Sequence, residues 1–145
     1  PDISLTMLDS LQKRLTFLEA VCGELKVRAY LLHARAEEAG RKPEYREQYD
    51  LATARAVAKL PVLCEYCLPF VKVGGVFAAL KGSDAENEAK EAQQAIRLLG
   101  GTLREIKSFT LPDGSRRGII VIEKTAPTPA KYPRQGGKIA KSPLG

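Results

Sequence analysis

The chain has 145 residues, 44% hydrophobic and 28% charged, which is enough for one domain with a real core. No run of about 18 apolar residues occurs, which excludes a helical membrane span, and the opening PDISLTMLDSLQKR lacks the basic region, apolar block and cleavage site of a signal peptide. Lys plus Arg number 23 against 17 Asp plus Glu, a formal charge of +6. Lys131, Arg134, Lys138 and Lys141 fall between Thr125 and Gly145, where there is no acid. Such a tail favours a polyanion through counterion release, although the composition also suits a plain solubilising tail. The odd count of three cysteines, with no secretory signal, points to a reducing cytoplasm. The chain opens on Pro1 rather than Met, so a processed or partial product is expected.

Ile3 to Leu8 reads as a buried strand reaching its carboxyl end at Asp9. Leu11, Leu15, Leu18, Cys22 and Leu25 then repeat as one helical stripe, with Ser10 as N-cap. Val27 to His33 is a second strand, followed by Arg35-Ala36-Glu37-Glu38 and a polar loop broken by Gly40 and Pro43. Tyr49 to Ala54 is the third strand. Arg55 to Ala58 forms a turn, and a helix from about Leu60 to Phe70 carries Pro61 in its first turn. Gly74-Gly75 reads as its end, and the apolar Val76 to Leu80 as a strand buried on both faces. Ser83-Asp84-Ala85-Glu86 has the pattern of a capping box, and Ala85, Ala89, Ala92, Ile96 and Leu99 continue as a stripe to Gly100-Gly101. Leu103 to Leu111 and Gly118 to Lys124 pair across a Pro112-Asp113-Gly114 turn, and the prolines beyond make residues 125–145 an extended tail. Alternation of this kind predicts an α/β fold with a mostly parallel sheet and an antiparallel C-terminal hairpin.

Asp9, Ala36-Glu37 and Arg55 each follow a strand directly, so all fall on one rim, where open α/β sheets bind ligands. An acid at a strand end accepts hydrogen bonds from ribose hydroxyls, the neighbouring Glu37 and its backbone suit an adenine, and the planar fork of Arg55 suits a carboxylate or phosphate. Each also reads as an ordinary solvated loop charge. Cys64-x-x-Cys67 with the single His33 cannot complete an ordinary four-ligand zinc site, and both cysteines read as small buried hydrophobes. No nucleophile–base pair, metal cluster or P-loop is present, so hydrolysis, covalent catalysis and metal chemistry have no support in the sequence.

LDSLQKR, HARAEE, ARAVAKLPVL, FVKVGG, ALKG and the terminal KYPR…AKSPL resemble, in this order and over Ile3 to Leu144, the bacterial 16S ribosomal RNA guanine-N7 methyltransferases, also called glucose-inhibited division protein B. The resemblance implies a Rossmann-like, class I methyltransferase fold and S-adenosylmethionine as cofactor. It also implies Asp9 near the cofactor ribose, Ala36 and Glu37 on the adenine side, and Arg55 as a cofactor or active-site residue. Lys131, Tyr132, Arg134, Lys141 and Pro143 match the family's basic C-terminal motif, with Lys138 among the expected phosphate contacts; Ile139 stands where a proline is expected.

Family members carry, before this region, a helical segment, a first strand and a glycine-rich loop around the methionine end of the cofactor. No such loop occurs between Pro1 and Gly145. Residues 1–124 are therefore expected to be the C-terminal two-thirds of a methyltransferase domain, with a gap in the sheet where the first strand belongs. A longer gene product, a second chain, or re-pairing of the sheet would close the gap. The partner implied is 16S ribosomal RNA or the small ribosomal subunit. A truncated, non-catalytic RNA- or ribosome-binding module is the alternative. A dehydrogenase is disfavoured by the lack of a dinucleotide glycine fingerprint.

Overall fold

The structure, a computed structural model, describes residues 3–55 and 58–145. Its strands are β1 (Thr6–Asp9), β2 (Tyr30–His33), β3 (Tyr49–Arg55), β4 (Val71–Lys81), β5 (Gly101–Thr110) and β6 (Arg116–Lys124). Its helices are α1 (Gln12–Leu25), α2 (Ala36–Ala39), α3 (Leu60–Cys67), α4 (Ala85–Glu91), α5 (Gln93–Leu98) and α6 (Lys138–Lys141), with a 3-10 turn at Leu68–Phe70. The α/β alternation and the terminal antiparallel hairpin are as expected, and the sheet is in two parts. β1 and β2 pair in parallel, Asp9 opposite His33. The second part runs β3-β4-β6-β5, parallel between β3 and β4 and antiparallel from there outward. Among the described residues the sheet does not re-pair between β1 and β3.

Alternation along the larger sheet separates two faces. Phe77 and Ala79 on β4 and Ile120 and Ile122 on β6 are fully buried against Leu60, Cys64, Leu68, Ala92, Ile96 and Leu99 of the α3–α5 layer. Each such large apolar side chain stabilises the fold by roughly 1.5–3 kcal/mol. The opposite face carries Leu51, Thr53 and Arg55 of β3, Leu80 of β4 and half-buried Ile119 and Val121 of β6, and is open. The strand expected to be buried on both faces is thus covered on one.

Three local expectations are corrected. Gly74-Gly75 lies inside β4, where the pairing jumps from Tyr49–Val71 to Leu51–Val76; the pair forms a bulge. Gly74 has φ +94°, and a Cβ on Gly75 would come within 2.6 Å of the Asp50 carbonyl, so the glycine pair serves a close backbone approach instead of a helix end. The helix expected over 85–99 is interrupted at Ala92, and Asp84 caps α4 without a side-chain hydrogen bond, so no capping box forms. In α1 the stripe buries only Leu15, and Leu11 caps in place of Ser10.

The tail is not extended. Arg46 donates to the carbonyls of Gly40, Thr128, Pro129 and Tyr132, and Arg41 donates to that of Pro133. Thr128 N–H donates to Glu47, Tyr132 is buried, and Ile139 in α6 is fully buried. Behind this strap, Lys124 is fully buried and donates to the carbonyls of Leu68 (2.8 Å) and Val71 (2.7 Å) while pairing with Glu47 at 3.0 Å. Burial pushes the Lys124 ammonium below its ordinary range, against the pull of Glu47. Burial works to raise the Glu47 carboxyl, but the Thr128 amide and Lys124 outweigh it and hold it below the usual range.

Lys124→Met is expected to lower stability by about 3–5 kcal/mol in denaturant titration, because two carbonyls and a carboxylate lose their buried partner. The contribution of Glu47 is present above the ordinary glutamate range and is lost as pH falls through its depressed folded value. Glu47→Gln should therefore flatten the fall in thermal stability below about pH 4.

Candidate functional site

Asp9 closes β1 at the turn into α1. Its Oδ1 accepts the Leu11 N–H at 2.9 Å, and its Oδ2 lies 3.6 Å from the Arg14 guanidinium. An ionised carboxylate offers about four acceptor positions, so capacity remains for a hydroxyl donor. Beside it, an open groove of about 560 Å³ runs along α1, lined by Asp9, Leu11, Lys13, Arg14, Phe17 and Leu18.

Ala36 and Glu37 begin α2, with Ala34 and Arg35 between them and the end of β2. Glu37 is buried, and Arg35 Nη2 reaches its carboxylate at 3.3 Å. Glu38 and Ala39 donate to the Arg35 carbonyl, while the N–H groups of Ala36 and Glu37 stand in the first turn, outside the helix's own ladder. This end of the chain thus offers a ligand backbone donors, whereas the Glu37 carboxylate is turned to Arg35. The same pair touches α3: burial raises the Tyr66 hydroxyl above its ordinary value, with the Glu37 charge adding to the shift.

Arg55 ends β3 opposite Leu80, exposed, on the open face. No ion pair engages it among the described residues. Ala56 and Val57, the next two residues of the expected turn, lie outside the described residues. Lys81, which sequence reasoning passed over, closes β4 one residue past Leu80. It is buried and donates to the Ala58 carbonyl at 2.7 Å and to Glu88 at 2.8 Å, which anchors the chain leaving Arg55 to α4. A lysine ending an otherwise apolar strand was the available signal. Asp9 and Ala36-Glu37 are thus neighbours on the β1–β2 end, and Arg55 stands on the corresponding strand ends of the other sheet.

The four basic tail residues divide. Lys131 is exposed, 5.3 Å above the Tyr132 ring, and Lys138 and Lys141 are exposed on α6. Arg134 is committed to the interior. Its guanidinium and its backbone N–H all donate to Glu65, with the shortest contacts at 2.7 and 2.8 Å, and a further donor reaches the Ser142 carbonyl. Glu65 is fully buried in α3. The expectation of Arg134 as a phosphate contact is corrected to a clamp for the tail, and the free cations there are lysines. Cys64 and Cys67 are free thiols, and burial raises both, Cys67 to about 12, so neither is a thiolate at neutral pH.

The family model for GidB, the rRNA small subunit methyltransferase G, matches residues 1–119. Among similar proteins is the ribosomal RNA small subunit methyltransferase G of Acetivibrio thermocellus, 51% identical over 99% of this chain and 60% of its own length. Those of Symbiobacterium thermophilum and Leuconostoc mesenteroides are 52% and 48% identical over 99% of this chain and 61% of theirs. The chain thus spans about three-fifths of the length of these relatives. The fold is also that of an rRNA methylase from Streptococcus thermophilus (TM-score 0.60, 15% identity, 85% of this chain and 74% of that one). A putative methyltransferase from Thermoplasma acidophilum is likewise similar (0.65, 11%, 85% and 58%).

Arg134→Ala is expected to cost about 3–5 kcal/mol in stability by leaving Glu65 buried and unpaired. Serine at Lys131, Lys138 and Lys141 together should move the unfolding midpoint little, about 0.5 kcal/mol or less per site. Equal effects in the two variants would count against the clamp.

Proposed function

Because the chain belongs to the GidB family of rRNA small subunit methyltransferases, we propose that it serves S-adenosylmethionine-dependent methylation of guanine N7 in 16S ribosomal RNA, in the cytoplasm. The observation that carries this reading is the set of strand-end groups: Asp9 at the end of β1 beside Ala36-Glu37 beyond β2, and Arg55, in no ion pair among the described residues, at the end of β3. In this reading residues 1–124 are the C-terminal two-thirds of the methyltransferase domain, and residues 125–145 are its strapped basic tail. A first strand from a longer product, or from a second chain, pairs with β1 on one side and β3 on the other. The free ladder edges of those two strands support this.

The residues suit the cofactor chemically. Asp9 has acceptor positions for ribose hydroxyls, and the Ala36 and Glu37 N–H groups can donate to adenine ring nitrogens. The cofactor supplies an already activated sulfonium methyl group. Guanine N7 has an in-plane lone pair and no proton, so no residue has to act as a general base. The protein's part is to hold donor and acceptor in line, which is worth up to about 7–11 kcal/mol. Arg55 provides a planar cation for a carboxylate or phosphate on that path, and Lys81 fixes the chain that follows it. Lys131, Lys138 and Lys141 contribute phosphate contacts. The guanine has to be unstacked or presented in a loop for its N7 edge to be reached.

In the full-length protein, Arg55→Ala should abolish methyl transfer to 16S ribosomal RNA and leave the melting temperature unchanged. Retained activity would reduce Arg55 to a surface charge. Calorimetric titration with S-adenosylmethionine should register binding that Asp9→Ala weakens; no binding by the wild-type protein would favour the non-catalytic RNA-binding module instead.

A further inference from the structure

We propose that the free end of the β5–β6 hairpin is an RNA-docking surface that holds the nucleotides flanking the target base, an assignment that rests on the reading above. Residues opposite one another in register share a sheet face, so one row crosses the larger sheet: Arg55, Leu80, Ile119, Lys107. At ordinary strand spacing, Lys107 lies about 15 Å from Arg55 along that row. Two residues further toward the rim the same face carries Phe109 opposite Arg117. Both β5 and β6 continue past Lys81, where β4 ends, so this pair projects beyond the strand end that carries Arg55.

The chemistry of this projection is that of a nucleic-acid contact. Between Arg104 and Gly118 the chain carries four basic residues, Arg104, Lys107, Arg116 and Arg117, against two acidic ones, Glu105 and Asp113. Arg104 is occupied by Glu123 at 3.0 Å, and Lys107 is only loosely met by Glu105 at 4.0 Å. Asp113 is turned back on its own loop, accepting the Ser115 N–H at 2.9 Å and the Ser115 hydroxyl, which hold its carboxyl below the usual range. Arg116 and Arg117 are exposed and enter no ion pair among the described residues.

Phe109 is 41% exposed, outside the buried core and on the same sheet face as Leu80 and Ile119. Guanidinium groups fit phosphates, and an exposed ring beside them fits an unstacked base. On the reverse side of the hairpin, Arg116 lines a cleft of about 240 Å³ with Ser83, Asn87 and Ser108, and Arg117 borders it only at the rim. Asp84 and Glu86 also line it, so the phosphate path runs over the Arg117–Phe109 face and not into the cleft.

The test compares the full-length protein with two variants, Lys107→Ser/Arg116→Ser/Arg117→Ser and Phe109→Ala, in binding to purified small-subunit ribosomal RNA across a salt series. The triple variant should bind at least about tenfold more weakly near 0.1 M salt, and its slope of log K against log salt should be shallower by about 2. Arg116→Lys/Arg117→Lys should keep the wild-type slope. Phe109→Ala should weaken binding roughly tenfold with the slope unchanged. S-adenosylmethionine affinity should be the same in all. A triple variant with wild-type affinity and slope overturns the assignment while leaving the methyltransferase reading standing. A wild-type protein that neither binds nor methylates this RNA overturns both.

Discussion

Lys124 sits fully buried at the end of β6, and its three acceptors come from three separate places: the 3-10 turn after α3, the first residue of β4, and Glu47 in the loop before β3. A cation removed from water is tolerated only where partners replace its hydration, so these segments can pack only in the arrangement that surrounds it. Glu47 then also accepts the Thr128 amide, which brings the C-terminal segment into the same network, and Arg46 and the Glu65–Arg134 pair extend it to residue 142. The α3 layer, the β3–β4 pairing and the tail are therefore one polar construction around an apolar core.

The sheet separates internally satisfied charge from exposed charge along its strands. Glu123 faces Val76 in the middle of β4 and the Lys124 side chain reaches the Val71 carbonyl at its start, whereas Gly118 faces its end at Lys81. At the first end, cations are satisfied internally. At the second, Arg55, Arg116 and Arg117 are exposed without carboxylate partners among the described residues, and Lys81 alone is consumed by the protein itself. Unspent charge at one end of a sheet, beside strand ends suited to a nucleoside, is the arrangement that a polyanionic substrate requires.

Much of this was legible in the sequence, because short-range signals carry it. The stripe Ala85, Ala89, Ala92, Ile96, Leu99 is buried throughout even though the backbone breaks at Ala92. Asp9, Glu37 and Arg55 were placed at strand ends by the apolar runs before them, and each lies at or just beyond a strand end. Long-range pairings were not legible. Arg134 read as a tail cation because Glu65, 69 positions earlier, gives no local sign of needing a partner. Gly74-Gly75 read as a helix stop because glycine pairs mark stops and bulges alike, and only the position of Asp50 on the neighbouring strand separates the two. The hairpin cations were passed over because their importance comes from cross-strand register with Arg55, 52 to 62 residues away in sequence.

The strap of residues 126–142 has a consequence for the order in which the molecule is made. A chain is synthesised from its N-terminus, and domains fold as their parts emerge. Arg134 follows Glu65 by 69 positions and Thr128 follows Glu47 by 81, so both partners emerge well after the segments they complete. Until they do, α3 carries a carboxylate without its cation, which disfavours the compact state for that interval. The α3 layer of a nascent chain therefore stays open to chaperones until residues 126–142 emerge and fasten it.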